Sequence, residues 1–198
     1  MRMVSALRRN AWISGRYGRG RGFTLVELMI TLAVAVVLVT IAVPSFRKMT
    51  LTNRLSTAAD EVVVALRTAR MEAIKRNSSV LFCSDSASDN TTETTLGATC
   101  GTSAGALVGL TTQTDGKRVA EKLRDGLPGI TGPVQLKGNI KALRFNAQGL
   151  AYALGAAAPY ADTVVDICTD ALGTDNHRVV RMTAGSTLDI TTKTETCS

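Results

Sequence analysis

The stretch Gly22-Phe23-Thr24-Leu25-Val26-Glu27-Leu28, with the apolar run that continues to Val43, decides the architecture of this chain. The 21 residues from Phe23 to Val43 contain four that are not apolar, namely Thr24, Glu27, Thr31 and Thr40. A helix rises about 1.5 Å per residue, so this run is just long enough to cross a bilayer core of about 30 Å. The run therefore predicts a membrane-spanning helix over residues 23–43.

Glu27 is the unusual residue of this run, because scales place a charge at the centre of a membrane helix at roughly +2.5 to +3.5 kcal/mol. Thr24, Glu27 and Thr31 have helical spacing and share one face of the predicted helix. That face needs a polar partner. Cleavage after Gly22 would create an α-amino group on Phe23, and the Glu27 carboxylate of one subunit could pair with that ammonium on a neighbour.

Two simpler interpretations of the apolar run remain as alternatives. A plain single-pass anchor would show the same run, but it gives no reason for Glu27 or for the Gly22-Phe23 junction. A secretory signal peptide has an apolar core of about 7–15 residues followed by a small-residue cleavage site. The sequence Val43-Pro44-Ser45 is a poor match to such a site.

The net charge of +7 comes mostly from the first 22 residues, which carry six arginines and no acidic residue. Removing these six from the 23 basic residues leaves 17, against 16 acidic residues, so the remaining chain is close to neutral. Basic residues before the span and a long domain after it place the N-terminus in the cytoplasm by the positive-inside rule. About 155 residues remain beyond the span, enough for one domain with its own core.

The four cysteines, Cys83, Cys100, Cys168 and Cys197, form an even set without Cys-x-x-Cys spacing, and His177 is the sole histidine. A structural zinc site is therefore not expected. Two disulfides in an oxidising periplasm fit better. Three connectivities are possible, of which the nearest-neighbour pairing, Cys83–Cys100 with Cys168–Cys197, is favoured. The alternative is that some of the four are free buried thiols.

Beyond the span the pattern changes from uniformly apolar to amphipathic, with apolar residues recurring at intervals of three and four up to about residue 76. Pro44 lies between the two patterns and should kink the helix, because it removes one backbone hydrogen bond. The sequence thus predicts one helix from near Phe23 to near Arg76, on the order of 80 Å long. Its second half needs a folded partner to cover the apolar stripe.

From residue 78 onward, short β segments alternate with turn signals such as Asp115-Gly116 and Gly132-Pro133. The predicted strands are residues 80–83, 106–110, 134–137, 142–145, 163–168, 178–183 and 187–191. The stretch 84–105 is rich in Ser, Thr, Gly and Asp and is predicted to be a loop tethered by a Cys83–Cys100 bridge.

The stretch from Gly22 to Leu28 behind a basic leader resembles the processing site of type IV prepilins and of type II secretion pseudopilins. In that family a membrane-bound prepilin peptidase cuts after the glycine and methylates the new N-terminal phenylalanine. The resemblance therefore implies cleavage at Gly22 and N-methylation of Phe23, with Glu27 and Thr24 as assembly residues.

Further stretches resemble the GspH/FimT (FimU-like) class of minor pilins and pseudopilins, including residues 58–61, 66–73, 105–108 and 144–149. The resemblance implies an α+β, pilin-like fold in which a long N-terminal helix packs on an antiparallel β domain. The predicted division is a cleaved prepilin leader (1–22), a transmembrane helix half (23–43), an amphipathic helix half (44–77) and a periplasmic or extracellular β domain (78–198).

Catalytic chemistry finds little support in the sequence. His177, the only histidine that could serve as a base, is predicted to lie in a solvent-exposed turn between Asp175, Asn176 and Arg178. The aspartates at positions 162, 166, 170 and 175 lack the spacing of a Ca²⁺-binding loop. The chain is therefore predicted not to be an enzyme and to need neither metal nor cofactor.

The FimT branch of the class is associated with DNA uptake through a basic Gly-Arg-x-Arg-type motif near the C-terminus. Here Ser186 and Leu188 stand where the two arginines are expected. Arg178, Arg181 and Lys193 are the remaining candidates for DNA contact. Acidic residues intervene among them, at positions 175, 189 and 195, so DNA binding is possible but not favoured.

The function that the resemblance implies is that of a minor pilin in the tip or priming complex of a type IV pilus. The alternatives are a DNA-binding FimT-like pilin for natural transformation and a GspH-like pseudopilin of type II secretion. The implied partners are other major and minor pilins, the prepilin peptidase and the inner membrane. The implied location is the bacterial inner membrane, as a single-pass protein with a periplasmic C-terminal domain, and then the pilus fibre at the cell surface.

Overall fold

A computed structural model describes residues 22–90 and 94–197 of the chain. The chain divides into two compact units, Met1–Val43 and Pro44–Ser198. The elements in order are α1 (Leu25–Arg76), β1 (Val80–Phe82), α2 (Thr95–Cys100), β2 (Leu107–Thr112), β3 (Arg118–Arg124), β4 (Gln135–Leu136), β5 (Leu143–Phe145), β6 (Ala151–Ala153), β7 (Thr163–Cys168), β8 (His177–Thr183) and β9 (Thr187–Lys193). Apart from Gly22, the predicted leader lies outside the described residues.

The described part of the first unit contains the beginning of α1. Its large apolar side chains are exposed, from Phe23 at 77% to Val43 at 44%. Among the residues that the structure describes, α1 is the one helix long and apolar enough to cross a membrane. Such exposure is stable only where lipid or other apolar helices replace water around the side chains.

The second unit begins at Pro44, which lies inside α1, and the kink predicted at this residue stays a prediction. From Leu55 to Ala73 the helix buries a stripe of nine side chains, five of them alanines: Leu55, Ala58, Ala59, Val62, Val63, Ala65, Leu66, Ala69 and Ala73. The stripe joins side chains of both sheets in one core. The predicted amphipathic half-helix is confirmed.

Two antiparallel sheets cover that stripe. The first sheet has five strands in the order β3-β2-β1-β5-β6, and the second has four in the order β4-β7-β8-β9. Both sheets contribute to one core with the helix, including Phe82 and Phe145 from the first sheet and Ile167 and Met182 from the second. The architecture is α+β and pilin-like, with a long N-terminal helix packed on antiparallel sheets, as the sequence predicted.

Backbone hydrogen bonds join the two sheets around Tyr160. The Tyr160 amide donates to the carbonyl of Ala151 in β6 (2.8 Å), and the Tyr160 carbonyl accepts from Gly185 (2.7 Å) in the turn between β8 and β9. The phenol donates to the carbonyl of Thr163 in β7 (2.5 Å). Gly185 has φ +68°, and a Cβ there would lie 2.8 Å from the Ala151 carbonyl oxygen, so this close approach requires glycine.

The outer face of the first sheet carries a smaller core. Leu81, Cys83, Cys100, Ala106 and Val108 are buried together under α2, and the Cys83–Cys100 disulfide ties α2 to the end of β1. The six-residue helix is capped by Thr94, whose hydroxyl accepts from the Gly97 amide (3.1 Å). A Ser/Thr-rich stretch that sequence patterning assigns to a loop thus contains a short helix.

The strands agree with the predicted ones except at their ends and in two omissions. Strand β3 was not predicted because its pattern, exposed to half-buried throughout, lacks apolar alternation. Its turn at Asp115-Gly116 is the hairpin signal that marks it, with the Lys117 amide donating to the Asp115 carboxylate (2.9 Å). Strand β6 was not predicted because it has only three residues, two of them alanines, and shows no apolar alternation.

The alanine stripe predicts a specific effect of overpacking. Ala69→Leu adds three carbons where the side chain is fully buried, and we expect the free energy of unfolding to fall by about 1–3 kcal/mol. Val64→Leu, on the exposed side of the same helix (54% exposed), should change it by less than about 0.5 kcal/mol. Denaturant unfolding of the full chain in detergent measures both, and equal losses would contradict this packing.

Tyr160 predicts an alkaline transition. Burial raises the pKa of Tyr160 from 10.0 to about 12, and the nearby Asp162 carboxylate adds to the shift. Because the folded pKa lies above the unfolded one, the contribution to stability is complete below pH 10 and is lost as the pH rises towards 12. We expect the free energy of unfolding to decline more steeply over this range than in Tyr160→Phe.

Phenolate absorbance provides the direct check. A component that titrates near 12 should be present in the wild-type protein and in Tyr152→Phe, and absent from Tyr160→Phe. Its persistence in Tyr160→Phe would contradict the assignment.

Candidate processing and assembly site

The start of α1 is fixed by the residues that the sequence analysis singled out. The Thr24 carbonyl accepts the first helical hydrogen bond from the Leu28 amide (3.1 Å), and the Thr24 hydroxyl accepts from the Glu27 amide (3.2 Å). Thr24 therefore caps the helix, and the spacing of Thr24 and Glu27 is that of a capping box. Thr24 was predicted only to lie on the polar face of the helix, although the Thr-x-x-Glu spacing also signals this capping role.

The hydroxyls of the threonines inside the apolar run form hydrogen bonds with backbone carbonyls of their own helix. The Thr31 hydroxyl donates to the Leu28 carbonyl (2.9 Å) and the Thr40 hydroxyl donates to the Val37 carbonyl (2.7 Å). Each hydroxyl therefore needs no partner outside its own helix. On the predicted polar face, the carboxylate of Glu27 is therefore the group that still requires a partner from another molecule.

Glu27 is exposed, and its carboxylate has no ion-pair partner within residues 22–90 and 94–197. It lies in the first turn of α1, where the helix dipole favours a negative charge. Phe23 is 77% exposed, and a Cβ on Gly22 would meet no atom within 4 Å. The cleavage junction and the carboxylate are thus both open to other molecules.

His177 corrects a prediction. It was predicted to be an exposed turn residue, but it begins β8 and its side chain is fully buried. The imidazole Nδ1 lies 2.8 Å from the Asp166 carboxylate and Nε2 lies 3.2 Å from the Glu195 carbonyl. Both ring nitrogens are occupied by structural contacts, so His177 holds the C-terminal tail and does not act as a base.

The C-terminal tail is fastened by further contacts. Asn176 donates to the Glu195 carbonyl (2.8 Å) and accepts from the Glu195 amide (3.2 Å), and Cys197 is joined to Cys168 in a disulfide. The Glu195 carboxylate lies 3.2 Å from Lys137 Nζ, a hydrogen bond that, with the charge of Lys193, lowers the pKa of Glu195. Both disulfides have the pairing that the sequence favoured.

Arg178 also corrects a prediction. It was a candidate for DNA contact, but it is 8% exposed and donates to the carbonyls of Asp175 (2.8 Å) and His177 (2.9 Å). Its Nε lies 3.4 Å from the Ser56 hydroxyl of α1, so the guanidinium connects the helix to the second sheet. A phosphate backbone could not reach a guanidinium buried in this way.

The other two candidates for DNA contact are exposed but face acidic groups. Arg181 stands opposite Asp189 in the β8–β9 pairing, and Lys193 Nζ lies 3.5 Å from the Glu195 carboxylate. The three residues therefore do not form one basic surface. Within the described residues no group of three or more His, Cys, Asp or Glu side chains could hold a metal ion.

The fold and the N-terminal site together define a class of protein: a subunit anchored by an apolar helix that carries a small antiparallel β domain. The model of the prokaryotic N-terminal methylation motif matches residues 18–43. The model of the family described as type II transport protein GspH matches residues 58–186, which is more than half of the chain. The chain belongs to this GspH family. No curated protein and no solved structure matches it significantly.

Membership settles the broad function. The chain is a structural protein of the pilin and pseudopilin type and not an enzyme. The methylation motif and the long apolar helix fit anchoring in the inner membrane and processing by a prepilin peptidase, and the family associates with other pilins. Such a protein functions through the contacts that its helix and its surface make with other molecules.

Arg178 generates a prediction for stability. Arg178→Ala removes hydrogen bonds from a buried charged donor, and we expect the free energy of unfolding to fall by about 1.5–3 kcal/mol. Arg181→Ala, three strand positions further along and exposed, is the matched control and should change it by less than about 0.5 kcal/mol. Denaturant titration of the full chain in detergent measures both, and an unchanged Arg178→Ala protein would contradict this role.

Proposed function

We propose that this chain is a minor pilin that enters a type IV pilus, in the complex that primes assembly and stays at the tip. The observation that carries the proposal is the carboxylate of Glu27, which lies in the apolar run four residues after Phe23 and has no ion-pair partner among the described residues. Thr24, Thr31 and Thr40 all have hydrogen bonds within the helix, so Glu27 alone calls for a neighbour.

Assembly follows from the energetics of that carboxylate. Cleavage after Gly22 exposes the α-amino group of Phe23, and methylation leaves it able to carry a positive charge. In a membrane the carboxylate and the ammonium are each costly, and pairing Glu27 of one subunit with the Phe23 amine of the next relieves both costs. The exposed apolar side chains of residues 23–43 then leave lipid for the helical core of a filament.

The edges of the sheets support the position at the tip. Strands β3 and β9 are outer strands of their sheets and therefore offer unpaired backbone groups to other subunits. Both edges carry charges, such as Lys122 on β3 and Asp189 on β9, which disfavour indiscriminate strand pairing and favour a complementary partner. Such selective edges suit a subunit with a few specific neighbours.

A second candidate is a pseudopilin of type II secretion, favoured by the description of the matched family as a type II transport protein. The assembly chemistry at Glu27 is the same for both candidates. Deleting the gene separates them: loss of surface pili supports the pilin, and loss of secreted enzymes with intact pili supports the pseudopilin.

A DNA-uptake role has less support. Backbone binding needs several cations that neutralise phosphates together. Arg178 is buried, and Arg181 and Lys193 stand beside acidic groups. No feature of the described surface favours this role over assembly.

Glu27→Ala tests the mechanism. We expect membrane insertion to be unchanged, because the substitution makes the span more apolar, and incorporation into filaments to be lost, because the ammonium of the neighbour has no partner. Sheared filaments and membranes are probed with an antibody to the β domain, and Thr40→Ala is the control within the same span. Normal incorporation of Glu27→Ala would overturn the pairing mechanism.

Immunogold labelling of wild-type filaments tests the location. Label confined to filament ends supports a tip subunit, whereas label along the shaft would contradict it.

A further inference from the structure

A pocket of about 650 Å³ lies at the end of the second unit where the chain enters it. One wall is the helix face formed by Pro44, Arg47, Lys48 and Leu51, which have the i, i+3, i+4, i+7 spacing of a single face. The other wall is the loop of residues 171–174, which follows β7. The buried Leu172 and the half-buried Leu51 give the pocket an apolar floor.

The two cations of the pocket have no acidic partner. Neither Arg47 nor Lys48 forms an ion pair with any residue in 22–90 or 94–197. Asp170 and Asp175 flank the loop in sequence, but neither lines the pocket, and the Asp170 carboxylate accepts a hydrogen bond from Gln135 (3.0 Å). The two charged side chains that line the pocket are therefore both cations, and the pocket carries a net positive charge.

The position of this pocket along the chain determines what it meets. Arg47 and Lys48 follow the last residue of the apolar run by four and five positions, which places them in the headgroup layer of a membrane that residues 23–43 span. Phe46 and Met49 flank this pair in sequence and are 70% and 62% exposed. Exposed apolar side chains next to cations are typical of a segment at a membrane surface.

We propose that this pocket binds the phosphate of an anionic phospholipid headgroup on the side of the membrane where the second unit lies. Arg47 offers a planar fork of donors that suits a phosphodiester, and Lys48 adds a point charge beside it. Pro44 lies about one turn closer to the apolar run than Arg47 and Lys48, so it faces the glycerol end of the lipid. The proposal does not depend on whether the chain serves a pilus or type II secretion.

This lipid would hold the unassembled subunit at the membrane surface. A filament removes the span from lipid, so the headgroup must leave the pocket when the subunit is incorporated. Arg47 and Lys48 can then bind other anions. The free energy needed to extract the subunit from the membrane therefore includes the cost of releasing this lipid.

The test uses the full chain reconstituted in vesicles of phosphatidylethanolamine and phosphatidylglycerol, with a trace of phosphatidylglycerol that carries a photoreactive group on its headgroup. After illumination, mass spectrometry of the peptides maps the attached lipid. We expect labelling of both walls, residues 44–51 and residues 171–174. Loop labelling is the decisive signal, because any segment next to a span would label at residues 44–51.

The variants decide whether charge carries the binding. The double variant Arg47→Gln with Lys48→Gln should reduce loop labelling by about fivefold for each charge removed. The charge-preserving variant Arg47→Lys with Lys48→Arg should retain most of it. Arg67→Gln with Lys75→Gln removes two cations further along the same helix and should leave it unchanged.

Two outcomes would overturn the proposal. These are labelling confined to residues 44–51 and loop labelling that is insensitive to the two charges.

Discussion

The packing of α1 against two sheets at once is the interaction on which the second unit depends. A sheet of five strands and a sheet of four meet the same helix, and side chains from all three form one core. The Arg178 guanidinium and the hydrogen bonds around Tyr160 then hold the sheets to the helix and to each other. Without the helix, the inner faces of both sheets would lose their shared core.

In the first unit the helix is exposed, whereas in the second unit it is buried against the sheets. The side chains of the first unit's helix are apolar and exposed, and every hydroxyl in the run is satisfied within the helix. Within residues 22–90 and 94–197, the carboxylate of Glu27 has no ion-pair partner. It is the group for which the proposed assembly mechanism supplies a partner on a neighbouring subunit.

Local patterns in the sequence predicted what local physics determines. The apolar run with Glu27, the amphipathic second half of α1 and most strands follow from periodicity, and the nearest-neighbour cysteine pairing is the one in the structure. His177 was misjudged because its polar neighbours suggest a turn, whereas pairing with β7 and coverage by the distant tail bury it. Arg178 was correctly predicted to lie in a strand, but its burial involves a contact with Ser56, which is far away in the sequence. Helix α2 depends on a cap and a disulfide that periodicity does not reveal.

The Cys168–Cys197 disulfide has a mechanical consequence for a protein that works in a fibre. Strands β8 and β9 lie between the two cysteines, inside a closed covalent loop. Tension applied between the helix and the end of the chain passes through the sulfur bridge and bypasses this loop. The hairpin therefore cannot be peeled from its sheet strand by strand, and it adds nothing to the length to which the subunit can be stretched.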